Sequence, residues 1–183
     1  MKKIYYVSIL FVIAFFITIF SIIILNELYH FIKRQYERLK IFDLADKRAK
    51  QINKPLIVIG DPYNGIASRF YSKIYKTYGC GDETIDLTGA PRCPNGIKND
   101  VLNYLKTKPP NSGVIFISCV LEYVDNISDT IEELYRVSGS KDNLFIVCVN
   151  DKSLSAYIYK DNTDISKNLI YIDNLGNITY KKL

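Results

Sequence analysis

Six residues, Gly60-Asp61-Pro62-Tyr63-Asn64-Gly65, follow the apolar run Leu56-Ile57-Val58-Ile59 and lead into Ile66 to Tyr75, which reads as a helix. Strand, glycine-containing turn and helix form the layout in which helix N-terminal amides and a close backbone approach receive a nucleotide-like ligand. The spacing is not G-x-G-x-x-G, because Asp61 and Tyr63 stand where glycines would be wanted, so an ordinary strand-to-helix turn is the competing reading. About 25 positions further on, Asp86 sits near the end of a second strand-like run, Thr84-Ile85-Asp86-Leu87. In nucleotide-binding α/β folds a carboxylate at that place accepts hydrogen bonds from ribose hydroxyls.

Other chemistry is excluded by supply. The chain has one histidine, His30, far from these residues, so a Ser/His/Asp triad, a Cys/His dyad or a His-rich zinc site cannot be assembled. Four cysteines are present: Cys80, Cys93, Cys119 and Cys148. Cys119 and Cys148 lie in apolar runs, where a free thiol behaves as a small hydrophobe. Cys80 and Cys93 flank the second strand; they either pair across it as a disulfide or thiol couple, or stand as separate loop thiols. Two cysteines are too few for a zinc site, and no metal is expected.

These residues need a scaffold, and the 183-residue length suits one domain with an appendage. An apolar share of 48% with 23% charged residues fits a packed core and excludes disordered, collagenous and coiled-coil chains. The net charge of +5 divides unevenly: residues 1–54 carry +6 and residues 55–183 carry −1. A nucleic-acid-binding domain needs a basic face of its own, so no nucleic acid is expected as partner. Composition thus divides the chain into residues 1–25, an anchor, 26–54, a stalk, and 55–183, the domain.

Ile4 to Leu25 is a run of 22 uncharged residues, about 33 Å as a helix and long enough to cross a bilayer. It exceeds a signal-peptide core of about 7 to 15 residues and ends in Ile22-Ile23-Ile24-Leu25 without the small residues of a cleavage site. A single-pass, uncleaved anchor in the lipid bilayer is the reading. Lys2 and Lys3 on one side, against Lys33, Arg34, Arg38 and Lys40 on the other, favour the cytoplasmic side for the domain, and the cysteines, with Cys119 and Cys148 in apolar runs as free thiols, point the same way. Two glycosylation sequons, Asn126-Ile-Ser128 and Asn177-Ile-Thr179, matter only if the domain is lumenal.

From Asn26 to about Lys50, apolar residues at helical spacing (Leu28, Phe31, Ile32, Tyr36, Leu39, Phe42) alternate with basic ones. This is a basic amphipathic stalk, read either as lying on anionic lipid headgroups or as a solvated extension of the span. Asn53-Lys54-Pro55 ends it, since proline cannot continue a helix. Beyond the first two strands, residues 113–120 and 143–149 read as buried strands and 127–137 as an amphipathic helix. Residues 168–173 and 177–181 flank a Leu175-Gly176 turn as a closing hairpin. Strands alternating with helices imply an α/β sheet, mostly parallel with an antiparallel strand.

The segment Ser118-Cys119-Val120-Leu121-Glu122-Tyr123-Val124-Asp125-Asn126, then Glu133-Leu134-Tyr135-Arg136-Val137 and Leu144-Phe145-Ile146-Val147, resembles a stretch of the class I S-adenosylmethionine-dependent methyltransferases. In that family a "vLEHVxD" segment closes the fourth strand, and an "ExxRVLKPGG" helix and turn lead to the fifth. The resemblance spans residues 55–183 and implies a Rossmann-like, methyltransferase-type sheet. It implies S-adenosylmethionine as cofactor, held by Gly60, Asp61, Asn64 and Gly65 of the loop, by Asp86 on the ribose, by Asp100 near the adenine and by Ser118. Methyl transfer is an in-line displacement that needs near-attack geometry, and a base only when the acceptor must lose a proton. Glu122, Tyr123 and Asp125, at the exit of the fourth strand, are the catalytic candidates that the resemblance implies.

The departures fall on the cofactor loop. Of the family's "DxGxGxG" only the last glycine has a counterpart, Gly65, while Ile59 replaces the opening acid and Tyr63 brings a side chain to the methionine end. Tyr123 replaces the family's histidine, and Ser138 to Asn143 replaces the "KPGG" turn. The expectation is a membrane-bound methyltransferase-like module that has lost its cofactor and serves in interaction or structure; the alternative is an active methyltransferase at a membrane surface. The wording "VIGDPYNGIASRFY" and "YGCGD…IDLTG", with Lys over Arg and many Ile and Asn, is similar to proteins of large DNA viruses with AT-rich genomes.

Overall fold

The structure, a computed structural model, describes residues 2–64, 73, 78–147, 168–172 and 178–182. The expected helix at 66–75, apart from residue 73, lies outside them, as do Gly65, Cys148 and the Leu175-Gly176 turn.

One helix, α1 (Lys2–Ile52), runs unbroken from the apolar N-terminal segment to the edge of the domain. Its 51 residues extend about 76 Å at 1.5 Å each. Asn53, with a φ of 52°, turns the chain out of the helix ahead of Pro55, so the expected break falls where the sequence placed it.

Five short strands follow: β1 (Leu56–Ile59), β2 (Glu83–Asp86), β3 (Gly96–Lys98), β4 (Val114–Ser118) and β5 (Leu144–Val147). They form one sheet, parallel throughout, in the order β3-β2-β1-β4-β5. Helix α2 (Val101–Lys106) lies between β3 and β4, and α3 (Ile127–Ser138) between β4 and β5. The fold is therefore α/β. Strands β1 and β4 are buried along their whole length, as continuous apolar runs in a parallel sheet must be.

Alternation sorts their side chains into two cores. Ile57, Ile59, Ile85, Ile115 and Ile117 point to the face covered by α2 and α3, where they meet Tyr104, Leu105, Ile131 and Leu134. Leu56, Val58, Val114, Phe116 and Val147 point to the opposite face, which α1 covers with Phe42, Ala45, Ala49 and Ile52. The part of α1 read as a stalk thus supplies a full layer of the core: Ala45 is 0% and Ala49 4% exposed. Small residues at 45 and 49 let the helix approach the sheet closely. Arg48 Nε donates to Asn143 Oδ1 at 2.9 Å, fastening the same turn to the start of β5.

Two expectations change. Residues 168–172 (β6) and 178–182 (β7) pair antiparallel as a separate two-stranded sheet, so the described main sheet contains no antiparallel strand. Cys80 and Cys93 are joined as a disulfide with Cα atoms 5.5 Å apart, which replaces the reading of separate loop thiols. The bond ties the entry of β2 to the entry of β3. β3 itself is an exposed edge of three residues with no apolar run, and was not anticipated as a strand from composition.

Candidate functional site

Strand order reverses between β1 and β4, and in open parallel sheets ligands bind outside the carboxyl ends of the strands at that point. Gly60 leaves β1 there with a φ of +104°, and its N–H donates to Ile85 O of β2 at 2.8 Å. Only glycine takes that conformation without strain. A methyl group at Gly60 would also meet Val120 Cγ2 at 3.0 Å and Ser118 O at 3.1 Å. The place that a side chain at position 60 would take is thus occupied by the end of β4 and by Val120 just beyond it.

Asp61 and Asp86, each given a cofactor role by the resemblance, come together. Asp61 N donates to Asp86 Oδ2 at 3.0 Å, fixing the loop after β1 against the end of β2. The Asp61 side chain turns back on its own loop: Oδ1 accepts from Tyr63 N at 2.8 Å, and Asn64 N donates to Asp61 O at 3.2 Å. Asp86 Oδ1 accepts from both Thr88 N (2.7 Å) and Thr88 Oγ1 (2.6 Å). Three donors of the chain itself therefore occupy the carboxylate offered as the ribose ligand. A carboxylate has about four acceptor directions, so one is left.

Asp100 is drawn to a different task. It is the N-cap of α2, accepting from Asn103 N at 3.1 Å. Its neighbour Asn99 donates to Asp86 O at 3.3 Å, which keeps the end of β3 beside the loop. Ser118, at the end of β4, is 4% exposed and its hydroxyl is hydrogen-bonded to Tyr78. The turn Leu121–Tyr123 carries two of the three catalytic candidates. It sinks Leu121 into the core and leaves Tyr123 half exposed; Asp125 is exposed, and the cap of α3 is Asn126, which accepts from Asp129 N at 3.2 Å. The Glu122 side chain lies outside what the structure describes.

Three residues that the sequence did not bring to this site, Arg38, Cys119 and Tyr78, gather beside Ser118. Arg38 reaches from α1 and donates through Nη2 to Cys119 Sγ at 2.9 Å, across 81 positions of sequence. Cys119 follows β4 with a φ of 53° and donates its N–H to Val147 O at 2.7 Å. Tyr78 is 4% exposed; burial pushes its phenol up to about 12, against the opposing pull of Arg38 and the Ser118 bond. It remains a neutral donor and acceptor at any ordinary pH. Nothing local in the sequence marks this group, since Arg38 lies in a run of basic residues and Cys119 in a run of apolar ones.

The segment most like the methyltransferases does structural work. Arg136 Nε and Nη2 bind Glu133 Oε2, while Nη1 and Nη2 donate to Lys108 O and Leu105 O at 2.8 Å each, satisfying carbonyls at the end of α2. Gly139 ends α3 with a φ of 69°. Among the described residues, no group of three or more His, Cys, Asp or Glu is placed to hold a metal ion.

Comparison with protein-family models, with curated proteins and with solved structures finds no match.

Proposed function

We propose that this chain is a single-pass membrane protein whose domain has a methyltransferase-type, Rossmann-like sheet, has lost its cofactor, and serves as a membrane-bound interaction or structural module. The crowded carboxylate of Asp86 is the chief support for this reading: Asp61 N and both donors of Thr88 leave about one acceptor direction where a ribose diol presents two donors. Val120 close beside Gly60 supports it by narrowing the room at the end of β1.

The anchor part rests on α1. Its N-terminal part is long and apolar enough to cross a membrane. It leaves Phe11 74%, Phe16 64% and Phe20 64% exposed, with no protein surface over them. A bilayer is the solvent in which such a surface costs nothing.

A second reading, an active S-adenosylmethionine-dependent methyltransferase, draws support from the strand order and from the pairing of Gly60, Asp61 and Asp86 at the reversal point. Calorimetric titration of the full chain in lipid nanodiscs with S-adenosylmethionine and S-adenosylhomocysteine separates the two. No heat of binding at millimolar ligand is expected. Micromolar binding that Asp86→Ala abolishes would overturn the module reading in favour of the enzyme.

A further inference from the structure

The disulfide bears on which face of the membrane the domain occupies. Joining Cys80 to Cys93 removes two protons and two electrons from a pair of thiols, and they pass to a disulfide-exchange partner that leaves as a dithiol. Such bonds form and persist in oxidising compartments and are rare where thiols are kept reduced.

The Lys and Arg count points the other way, but the fold weakens it. Arg38 is bonded to Cys119 and belongs to the domain, and α1 is already packed on the sheet in the turns that follow. With Arg38 set aside, this leaves Lys2 and Lys3 against Lys33, Arg34 and Lys40, a difference of a single charge. Long segments and domains also translocate largely regardless of their own charge.

An oxidising location makes the sequons relevant. Asn126 and Ser128 are both exposed, at the first turn of α3 and outside either core. The Asn126 amide caps the helix through Oδ1 to Asp129 N, and its Nδ2 donates to Asp129 Oδ2 at 2.7 Å. An N-linked glycan replaces one of the two hydrogens on Nδ2, so the cap oxygen and one N–H survive. The second sequon begins at Asn177, which lies outside the described residues.

We propose that the domain folds on the oxidising side of its membrane and that Asn126 carries an N-linked glycan there. The donor is a lipid pyrophosphate-linked oligosaccharide. Asn126 Nδ2 forms a bond to the anomeric carbon, the bond from that carbon to the pyrophosphate oxygen breaks, and the amide loses one proton.

The inference rests on the anchor reading, and the test keeps the two apart. The full chain is synthesised with sealed, glycosylation-competent microsomes, then challenged with protease, with an N-glycosidase and with alkaline carbonate. A protease-protected domain is expected, with a discrete mass increase removed by the glycosidase and lost in Ser128→Ala. That variant leaves the Asn126 cap intact, and Asn126→Asp, another good cap, gives the same loss. Cys80 and Cys93 should resist thiol alkylation until a reductant is added. Protease digestion of the domain overturns the proposal, as does a protected domain whose mass neither glycosidase nor Ser128→Ala alters. Release by carbonate removes the anchor reading itself, whereas retention with no glycan removes this inference alone.

Discussion

Replacing Phe42 by alanine tests whether the helix that leaves the membrane is part of the folded domain. The Phe42 ring meets Phe116 edge-on at 5.5 Å between centroids and Tyr78 at 6.1 Å, on the sheet face that α1 covers. A fully buried Phe-to-Ala change costs about 3–5 kcal/mol, and the ring pairs alone contribute roughly 0.5–1.5 kcal/mol. Phe42 is half-buried, so a loss of about 2–3 kcal/mol is expected, roughly a 30- to 150-fold increase in the unfolding constant. The assay is urea unfolding of the full chain in nanodiscs, followed by near-ultraviolet circular dichroism of its 15 tyrosines, with no tryptophan to obscure them. Leu44→Ala, two residues on and 47% exposed, is the control and should fall within about 0.5 kcal/mol of the parent. Equal effects of the two substitutions, or a Phe42 effect below about 0.5 kcal/mol, would refute the docked helix and restore a free stalk.

Three further outcomes follow from the same packing. Gly60→Ala should cost about 2–4 kcal/mol, from the positive φ and the approach to Ser118 O and Val120, and a change under about 0.5 kcal/mol in urea unfolding would contradict that geometry. Burial raises the Glu83 carboxyl, but the Lys108 ammonium at 2.7 Å and the Tyr104 hydroxyl at 2.8 Å outweigh it and hold the group below its usual range. Its contribution is then complete above the unfolded-state value, about 4.3, and lost as pH falls through the lower folded value; unfolding midpoints from pH 7 to 3 should drop less steeply in Glu83→Gln, and identical slopes would exclude the role. Reducing the Cys80–Cys93 bond, which closes a separation of 13 residues, should lower stability by about 3 kcal/mol at neutral pH, checked by urea unfolding with and without reductant in a Cys119→Ser, Cys148→Ser background.

Much of the sheet was legible because buried parallel strands announce themselves. Leu56 to Ile59, Val114 to Ser118 and Leu144 to Val147 are unbroken or nearly unbroken apolar runs, and each became a strand at the expected place. β3 carries no such signal: Gly96-Ile97-Lys98 has one apolar residue on an exposed edge, and it is held by pairing with β2. The docking of α1 was hidden for another reason. An apolar stripe beside basic residues fits a lipid surface and a protein surface equally, and the deciding side chains, Ala45 and Ala49, are too small to register in a periodicity count. At the site, the meeting of Asp61 with Asp86 was readable from strand-end positions. The capture of Asp86 by Thr88 had a local sign, a carboxylate two residues before a hydroxyl, which is a common turn pattern. Arg38 against Cys119 had none, because a contact between positions 81 apart is a property of the fold.

The magnitudes decide how far Asp86 can explain a silent site. A ribose diol presents two donors, and the carboxylate has about one free acceptor direction, so binding must displace one internal bond. A hydrogen bond to a charged group contributes about 1.5–3 kcal/mol, and displacing one without full replacement weakens binding roughly 10- to 150-fold. That change alone turns a micromolar site into one still detectable below the millimolar range. Silence at millimolar ligand therefore needs a second loss of similar size. The loop is the candidate source: Asp61 Oδ1 is turned back on Tyr63 N, and Val120 and Ser118 O lie close to Gly60 on the side where its Cβ would project. Neither feature retires the site by itself. Together they would amount to about 3–6 kcal/mol, enough to account for the silence that the module reading expects of the titration.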